Sequence, residues 1–168
     1  MAYFNDKFKK ARLDQSPYLF HFIKGKEEAP HDTLKKILSE EKLCSKSGII
    51  CFSASPLTAI TKFFHVKVNG TSRPLYCPYG IGFSRDMLVR DFGARNVIYV
   101  DNDEYDHIPE ELKWRTDRLN VDAYDFEYLR EWRIHCNEFN FSGFPKEHMI
   151  IVAPVSYTHL TLPTNSRV

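Results

Sequence analysis

The chain has 168 residues, 43% hydrophobic and 14% aromatic, which is enough to build the core of one globular domain. Lysine and arginine together number 23 and the acidic residues 22, so the charge balance argues against general binding to a nucleic-acid backbone. The sequence has no apolar stretch near the roughly 20 residues that a membrane span needs, and no N-terminal signal peptide. We therefore expect a cytoplasmic protein that does not act in a membrane.

Apolar periodicity and turn residues predict a mixed α and β domain without internal repeats. Asp32 is a suitable N-cap for the first helix, and Ser55 followed by Pro56 is typical of a second helix start. The predicted elements, in chain order, are a strand at 18–23, a helix at 30–41, a strand at 48–52, a helix from Ser55 to Phe64, a strand at 79–83, a helix from Ser84 to Gly93, a strand at 96–100, an acidic loop at 101–106, a helix at 109–115, and strands around Glu131 and Ile150.

The four cysteines are predicted to be reduced and structural. Their spacing resembles neither the paired ligands of a zinc site nor the dense framework of a small secreted domain. The residues concerned are Cys44, Cys51, Cys77 and Cys136. We therefore expect no metal centre.

Four apolar segments that each contain polar groups recur along the chain, at 18–23, 50–57, 79–84 and 130–134. A histidine, a hydroxyl and a carboxylate displayed by separate strands are useful in a site and of little use in an ordinary core. Their order along the chain therefore predicts one cleft that accepts a nucleotide cofactor.

Strand alternation assigns these polar groups to faces. Within 18–23, His21 shares a face with Leu19 and Ile23. In 129–136, one face carries Leu129, Glu131, Arg133 and His135. Both patterns also have a structural interpretation, because His21 can be a hydrogen-bonded core residue and the later strand can carry an ordinary surface ion pair.

The segments "LFHF", "ICFSASPL", "YGIGFSRDMLVRDFGARNVIYV" and "REWRI" resemble the AbiGi-type abortive-infection family of phage-resistance proteins, over about residues 17–154. More distantly, their layout is similar to the ADP-ribosyltransferase fold. The resemblance implies an α+β domain with a split β-sheet core and short flanking helices. It also implies NAD as the substrate.

By this resemblance, Glu131 is the catalytic glutamate and His21 hydrogen-bonds the nicotinamide ribose. Phe52 and Ser53 would line the nicotinamide pocket. A carboxylate beside the sugar is chemically suitable, because cleavage of the glycosidic bond develops oxocarbenium charge that a carboxylate stabilises.

Three further residues have roles implied by the same resemblance. Arg133 would hold the carboxylate or contact the pyrophosphate, and Tyr79 or Phe64 would stack on the nicotinamide ring. The chain departs from transferases that carry a tyrosine on the second strand, since residues 50–52 are Ile, Cys and Phe. Ring stacking from that strand would therefore rely on phenylalanine.

The end of the chain, 155–168, is expected to be foreign to the domain. Residues 155–164, Val-Ser-Tyr-Thr-His-Leu-Thr-Leu-Pro-Thr, resemble a translated sequencing-library adapter read in frame. We therefore expect one domain at 1–154, truncated at its C-terminus and followed by non-native residues.

Three functions of different classes remain open. The first is an NAD-dependent ADP-ribosyltransferase-like toxin of phage defence, which modifies a protein or nucleic-acid target. The second is a non-catalytic, antitoxin-like protein of the same fold that binds a cognate toxin or antitoxin. The third is the transfer of an RNA 2′-phosphate to NAD, which requires basic residues around the cleft.

Overall fold

A computed structural model describes residues 11–25, 29–67, 72, 74–119 and 126–154, and the predicted foreign segment at 155–168 lies outside them. The fold is α+β, with a large antiparallel sheet and short helices. Its strands are β1 (Tyr18–Lys24), β2 (Lys42–Cys44), β3 (Ile49–Ser53), β4 (Tyr76–Ser84), β5 (Arg95–Asn96), β6 (Ile98–Val100), β7 (Thr116–Arg118), β8 (Glu131–His135), β9 (Glu138–Asn140) and β10 (Met149–Val152). Its helices are α1 (Pro30–Glu40), α2 (Leu57–Ile60), α3 (Arg85–Asp91), α4 (Asn102–Tyr105) and α5 (Glu110–Lys113).

The main sheet contains six strands in the order β10-β4-β1-β3-β8-β5, and each neighbouring pair is antiparallel. Two small sheets accompany it: β2 pairs antiparallel with β9, and β6 pairs parallel with β7. Within the described residues, no helix combines the length and the apolar character that crossing a bilayer requires.

Each face of the main sheet covers its own hydrophobic core. The larger core includes Leu19, Ile23, Ile50, Phe52, Ile81, Phe83 and Ile134. The smaller core consists of Phe20, Phe22, Ile60 and Leu129 with partly buried neighbours. We call the two sides the large-core face and the small-core face. The predicted alternation along 18–23 is thereby confirmed, because residues 19 and 23 pack on one side and residues 20 and 22 on the other.

β1 and β3 meet at a single register pair, Phe20 opposite Ser53. All residues of both strands are described, and no second pair joins them. Next to this pair, the Nδ1 atom of His21 lies 2.9 Å from the carbonyl oxygen of Cys51. A side chain therefore bridges the two strands where the backbone ladder stops.

The first helix differs from its prediction at the N-terminus. It begins at Pro30, so the N-cap is Ala29 and the assignment of Asp32 as N-cap is wrong. Proline is favoured in the first turn because backbone N–H groups there have no acceptor within the helix, so the lack of an N–H costs nothing. Asp32 instead lies in that first turn, where its negative charge interacts favourably with the helix dipole.

The second helix also starts later than expected, at Leu57, and Pro56 is its N-cap rather than its first residue. Ser55 does not cap it, because its hydroxyl donates a hydrogen bond to the carbonyl of Tyr128. After Ile60 the chain continues as a 3₁₀ turn over Thr61–His65. The hydroxyl of Ser55 thus joins two distant segments instead of capping a helix.

The predicted strand at 96–100 is wrong as one element, since β5 and β6 belong to different sheets. Between them, the backbone N–H of Val97 donates to the carbonyl of Glu131 at 2.8 Å. The acidic stretch at 101–106 is also more ordered than the predicted loop. Asp101 and Glu104 form a reciprocal capping box that begins α4.

The close packing of β4 against β1 predicts the effect of Gly80→Ala. A Cβ atom at Gly80 would lie 2.7 Å from the carbonyl oxygen of His21 and 2.8 Å from a ring carbon of Phe22. Because a backbone oxygen cannot move aside, we expect the free energy of unfolding to fall by about 1–3 kcal/mol. Urea denaturation measures this change. Gly143→Ala is the control, since its Cβ would meet no atom within 4 Å, and an equal loss in both variants would contradict the prediction.

Candidate functional site

The Glu131 carboxylate is held by an arginine on the same strand. Oε1 of Glu131 accepts a hydrogen bond of 2.8 Å from Nε of Arg133, and both side chains are 11% exposed. The pair lies on the small-core face, because Glu131 is opposite Ser53 and Arg133 is opposite Cys51. The predicted alternation of this strand is therefore confirmed, and its two charges form a partly buried ion pair.

Arg133 also donates from both of its terminal nitrogens. Nη2 donates to Asp117 at 2.6 Å, and Nη1 lies 3.3 Å from the carbonyl oxygens of Trp114 and Thr116. Burial by itself would lower the pKa of Arg133, but the hydrogen bonds to Glu131 and Asp117 outweigh it and raise the pKa. Every guanidinium nitrogen is engaged with protein. Arg133 consequently acts on Glu131 and would have to break these bonds to grip a pyrophosphate.

A cavity of about 210 Å³ opens on this side of the sheet. Its walls come from β1, β3, β4, β7 and β8 and from the segment before β8. The bordering residues are Phe20, His21, Phe22, Lys24, Cys51, Phe52, Ser53, Tyr76, Asp117, Phe126, Leu129 and Glu131. Four of the residues predicted from sequence border this cavity: His21, Phe52, Ser53 and Glu131. The side chains of Ser53 and Glu131 lie on the small-core face, whereas those of His21 and Phe52 belong to the large-core face.

His21 is half-buried in the opening between β1 and β3. Burial lowers its pKa, the hydrogen bond to the Cys51 carbonyl opposes that effect, and nearby Lys24 adds to the lowering. A carbonyl only accepts, so Nδ1 of His21 carries the proton in this hydrogen bond. The neutral ring then presents Nε2 as a hydrogen-bond acceptor.

Ser53 and Phe52 border the cavity while their side chains serve the fold. The hydroxyl of Ser53 donates to the Leu129 carbonyl at 2.6 Å and accepts from the Ser55 backbone N–H at 3.2 Å. The Phe52 ring is buried in the large core, 6.2 Å from the ring of Phe83. Ser53 therefore fixes the turn that precedes Glu131.

The two aromatic residues predicted to stack on nicotinamide lie outside the residues bordering this cavity. Tyr79 packs in the large core, 6.0 Å from the ring of His31. Phe64 packs edge-on against Phe22, with ring centroids 5.3 Å apart. Strand alternation explains the position of Tyr79, since it shares its face with the buried Ile81.

The sequence analysis did not assign Cys51, Tyr76 or Asp117 to the site, although all of them border the cavity. Burial of the thiol and the neighbouring Glu131 carboxylate raise the pKa of Cys51 to about 12, so the thiol stays protonated although the residue as a whole is exposed. Burial also raises the pKa of Tyr76, with additions from Tyr128 and Glu131. The alternation of 49–53 carried a signal for Cys51, because it places residue 51 on the same face as Ser53.

Arg133, with its hydrogen bonds to Glu131 and Asp117, forms what we call the Glu131 clamp. The clamp predicts a large loss of stability in Arg133→Gln. The change leaves a largely buried carboxylate without its cation, so we expect the free energy of unfolding to fall by about 2–4 kcal/mol. Arg130→Gln is the control, because Arg130 pairs with Asp14 at the surface, at 39% and 45% exposure. That pair is worth less than about 1 kcal/mol. Similar losses in the two variants, measured by urea denaturation, would refute the clamp.

The raised pKa of Cys51 predicts slow alkylation. A pKa near 12 leaves little thiolate at pH 8, and the thiolate is the reactive form. Both Cys51 and Cys44 are exposed, so a difference in labelling reports the thiolate fraction. We expect iodoacetamide to label Cys51 at least about tenfold more slowly than Cys44, as read by peptide mass spectrometry. Glu131→Gln removes a negative charge that raises this pKa, so it should accelerate Cys51 and leave Cys44 unchanged. No acceleration would show that the two side chains do not interact.

Neither a metal site nor a known relative assigns a role to this cavity. Among the described residues, no group of three or more His, Cys, Asp or Glu side chains is arranged to hold a metal ion. Comparison with protein-family models, with curated proteins and with solved structures finds no match for this chain.

Proposed function

We propose that this chain cleaves the bond between nicotinamide and ribose in NAD, as a cytoplasmic ADP-ribosyltransferase-like protein of phage defence. The observation that carries the proposal is Glu131, a carboxylate clamped by a saturated arginine at the wall of a small cavity. Arginine clamping fixes the direction of the carboxylate, and fixed charges stabilise a developing opposite charge without reorganising.

In the proposed reaction, the bond between C1′ of the ribose and the nicotinamide nitrogen breaks, and nicotinamide leaves with the electron pair. Glu131 accepts a hydrogen bond from the 2′-hydroxyl and stabilises the positive charge on the sugar. An acceptor nucleophile, or water in hydrolysis, then bonds to C1′ and loses a proton. The products are nicotinamide and either ADP-ribosylated target or free ADP-ribose.

The size and polarity of the cavity support nicotinamide riboside as the part of NAD that it holds. Its volume of about 210 Å³ is smaller than the roughly 300–1,000 Å³ of pockets that enclose drug-sized ligands. Phe126 and Tyr76 offer ring surfaces at its wall. The rest of the dinucleotide would lie outside.

The sheet geometry is compatible with the split core that the family resemblance implies. β1 and β3 share one register pair and then separate, and the cavity borders both strands at that separation. Among the described residues, a single backbone pair is therefore the only ladder contact between the two halves of the main sheet.

A second candidate, transfer of an RNA 2′-phosphate to NAD, gains support from the surroundings of His21. Lys24, Lys36 and Lys42 border a neighbouring cavity that also includes His21. Basic residues beside the cleft are what a phosphorylated RNA end would require.

The proposed function predicts nicotinamide release from NAD, and its loss in Glu131→Gln. Because the neutral amide cannot offset oxocarbenium charge, we expect the rate to fall at least about 100-fold. Chromatography of nicotinamide measures the rate, and Glu147→Gln, at an exposed position, is the control that keeps it.

Three outcomes distinguish the candidates. No nicotinamide release by the folded wild-type protein, together with co-purification of a cognate protein that Glu131→Gln leaves unaffected, would favour the antitoxin-like alternative. Nicotinamide release that requires a 2′-phosphorylated RNA would assign the second candidate. Release by Glu131→Gln at the wild-type rate would remove Glu131 from the chemistry.

A further inference from the structure

A second cavity, of about 470 Å³, lies beside the first and is bounded by β1, α1, β2 and β3. His21, Phe22, Lys24 and Cys51 border both cavities. The imidazole of His21, bonded to the Cys51 carbonyl, therefore stands between two separate spaces. The residues of this second cavity include none of the acidic groups around Glu131.

Charge distinguishes the second cavity from the rest of the protein. Three lysines border it, Lys24 from β1, Lys36 from α1 and Lys42 from β2, against one acidic residue, Glu40. The whole chain, by contrast, has a formal net charge of only +1. A local excess of cations from three different elements creates a positive potential that attracts anions.

Existing ion pairs leave this positive charge available to a ligand. Nζ of Lys36 lies 3.8 Å from Glu40 on the exposed face of α1, and Nζ of Lys42 lies 3.2 Å from Glu138. Surface pairs of this kind are worth about 0–1 kcal/mol, so a multiply charged anion can displace them. Lys24 forms no ion pair with the described residues.

The floor of the cavity is apolar while its rim is polar. Ile23, Leu43 and Ile50 are buried beneath it, and Ile37 of α1 adds a partly buried wall. The hydroxyl-bearing residues that border it are Thr33, Ser45 and Ser47. An apolar floor beneath a cationic, hydroxyl-rich rim suits a flat ring that carries phosphates.

We propose that this lysine-lined cavity binds a small phosphorylated ligand of nucleoside diphosphate size. Its volume of about 470 Å³ falls within the roughly 300–1,000 Å³ of pockets for ligands of that size. The lysines bind the phosphates by charge, and the apolar floor receives the base. The assignment does not depend on NAD cleavage, because no residue of the Glu131 clamp borders this cavity.

Isothermal titration calorimetry with ADP tests the assignment. We expect ADP to bind, adenosine to bind at least about tenfold more weakly, and affinity to fall as salt is raised. The double variant Lys36→Gln with Lys42→Gln should weaken ADP at least about tenfold. Lys35→Gln, one residue away on α1 and outside the cavity, should bind within about twofold of the wild type.

Several outcomes would overturn the proposal. These are absence of ADP binding by the folded wild-type protein, equal weakening in the Lys35 and the double variants, and displacement of ADP by an RNA oligonucleotide at equal phosphate concentration. The last result would assign the cavity to nucleic acid. Glu131→Gln separates this test from the NAD proposal, because it should abolish nicotinamide release and leave ADP binding unchanged.

Discussion

The contact between β1 and β3 is the constraint on which both cavities depend. A complete backbone ladder would close the sheet, whereas one register pair holds the strands together at Phe20 and lets them separate beyond it. The imidazole of His21 then satisfies the Cys51 carbonyl that the ladder leaves without a strand partner. Because the side chain replaces a backbone donor, this carbonyl keeps a hydrogen-bond partner where the strands separate.

Arg133 has a comparable role at β8. Four hydrogen bonds tie its guanidinium to Glu131, Asp117 and two backbone carbonyls, so one side chain fixes the stretch 114–117 against β8. A buried carboxylate is costly unless its charge is compensated, and here a neighbour two residues along the same strand compensates it. The ion pair that alternation predicted is therefore also the device that sets the orientation of Glu131.

Local patterns predicted much of this site, and long-range pairing determined the rest. Period-two alternation correctly grouped Glu131 with Arg133 and His21 with Leu19. It did not predict that those groups belong to opposite faces of one sheet and still border one cavity, since that follows from how β1 separates from β3. Asp117 lies on a three-residue strand that pairs, among the described residues, with β6 alone, and it is too short for periodicity to mark. A register shift between Phe22 and Lys24 likewise decides that Tyr76 borders the cavity.

The chemistry open to the small cavity depends on which of its polar groups already have protein partners. Ser53 and Arg133 have no free donor for a ligand. The Ser53 hydroxyl donates to a backbone carbonyl, and the Arg133 guanidinium donates to Glu131 and its neighbours. On the Glu131 side, the cavity is left with an oriented carboxylate and with a thiol and a phenol whose pKa values are raised. Neither the Cys51 thiol nor the Tyr76 phenol is a ready nucleophile, since nucleophilic attack needs a thiolate or phenolate. Such a set favours charge stabilisation over covalent catalysis, which is why the proposed NAD cleavage is assigned to Glu131 and not to an enzyme-bound intermediate on Cys51.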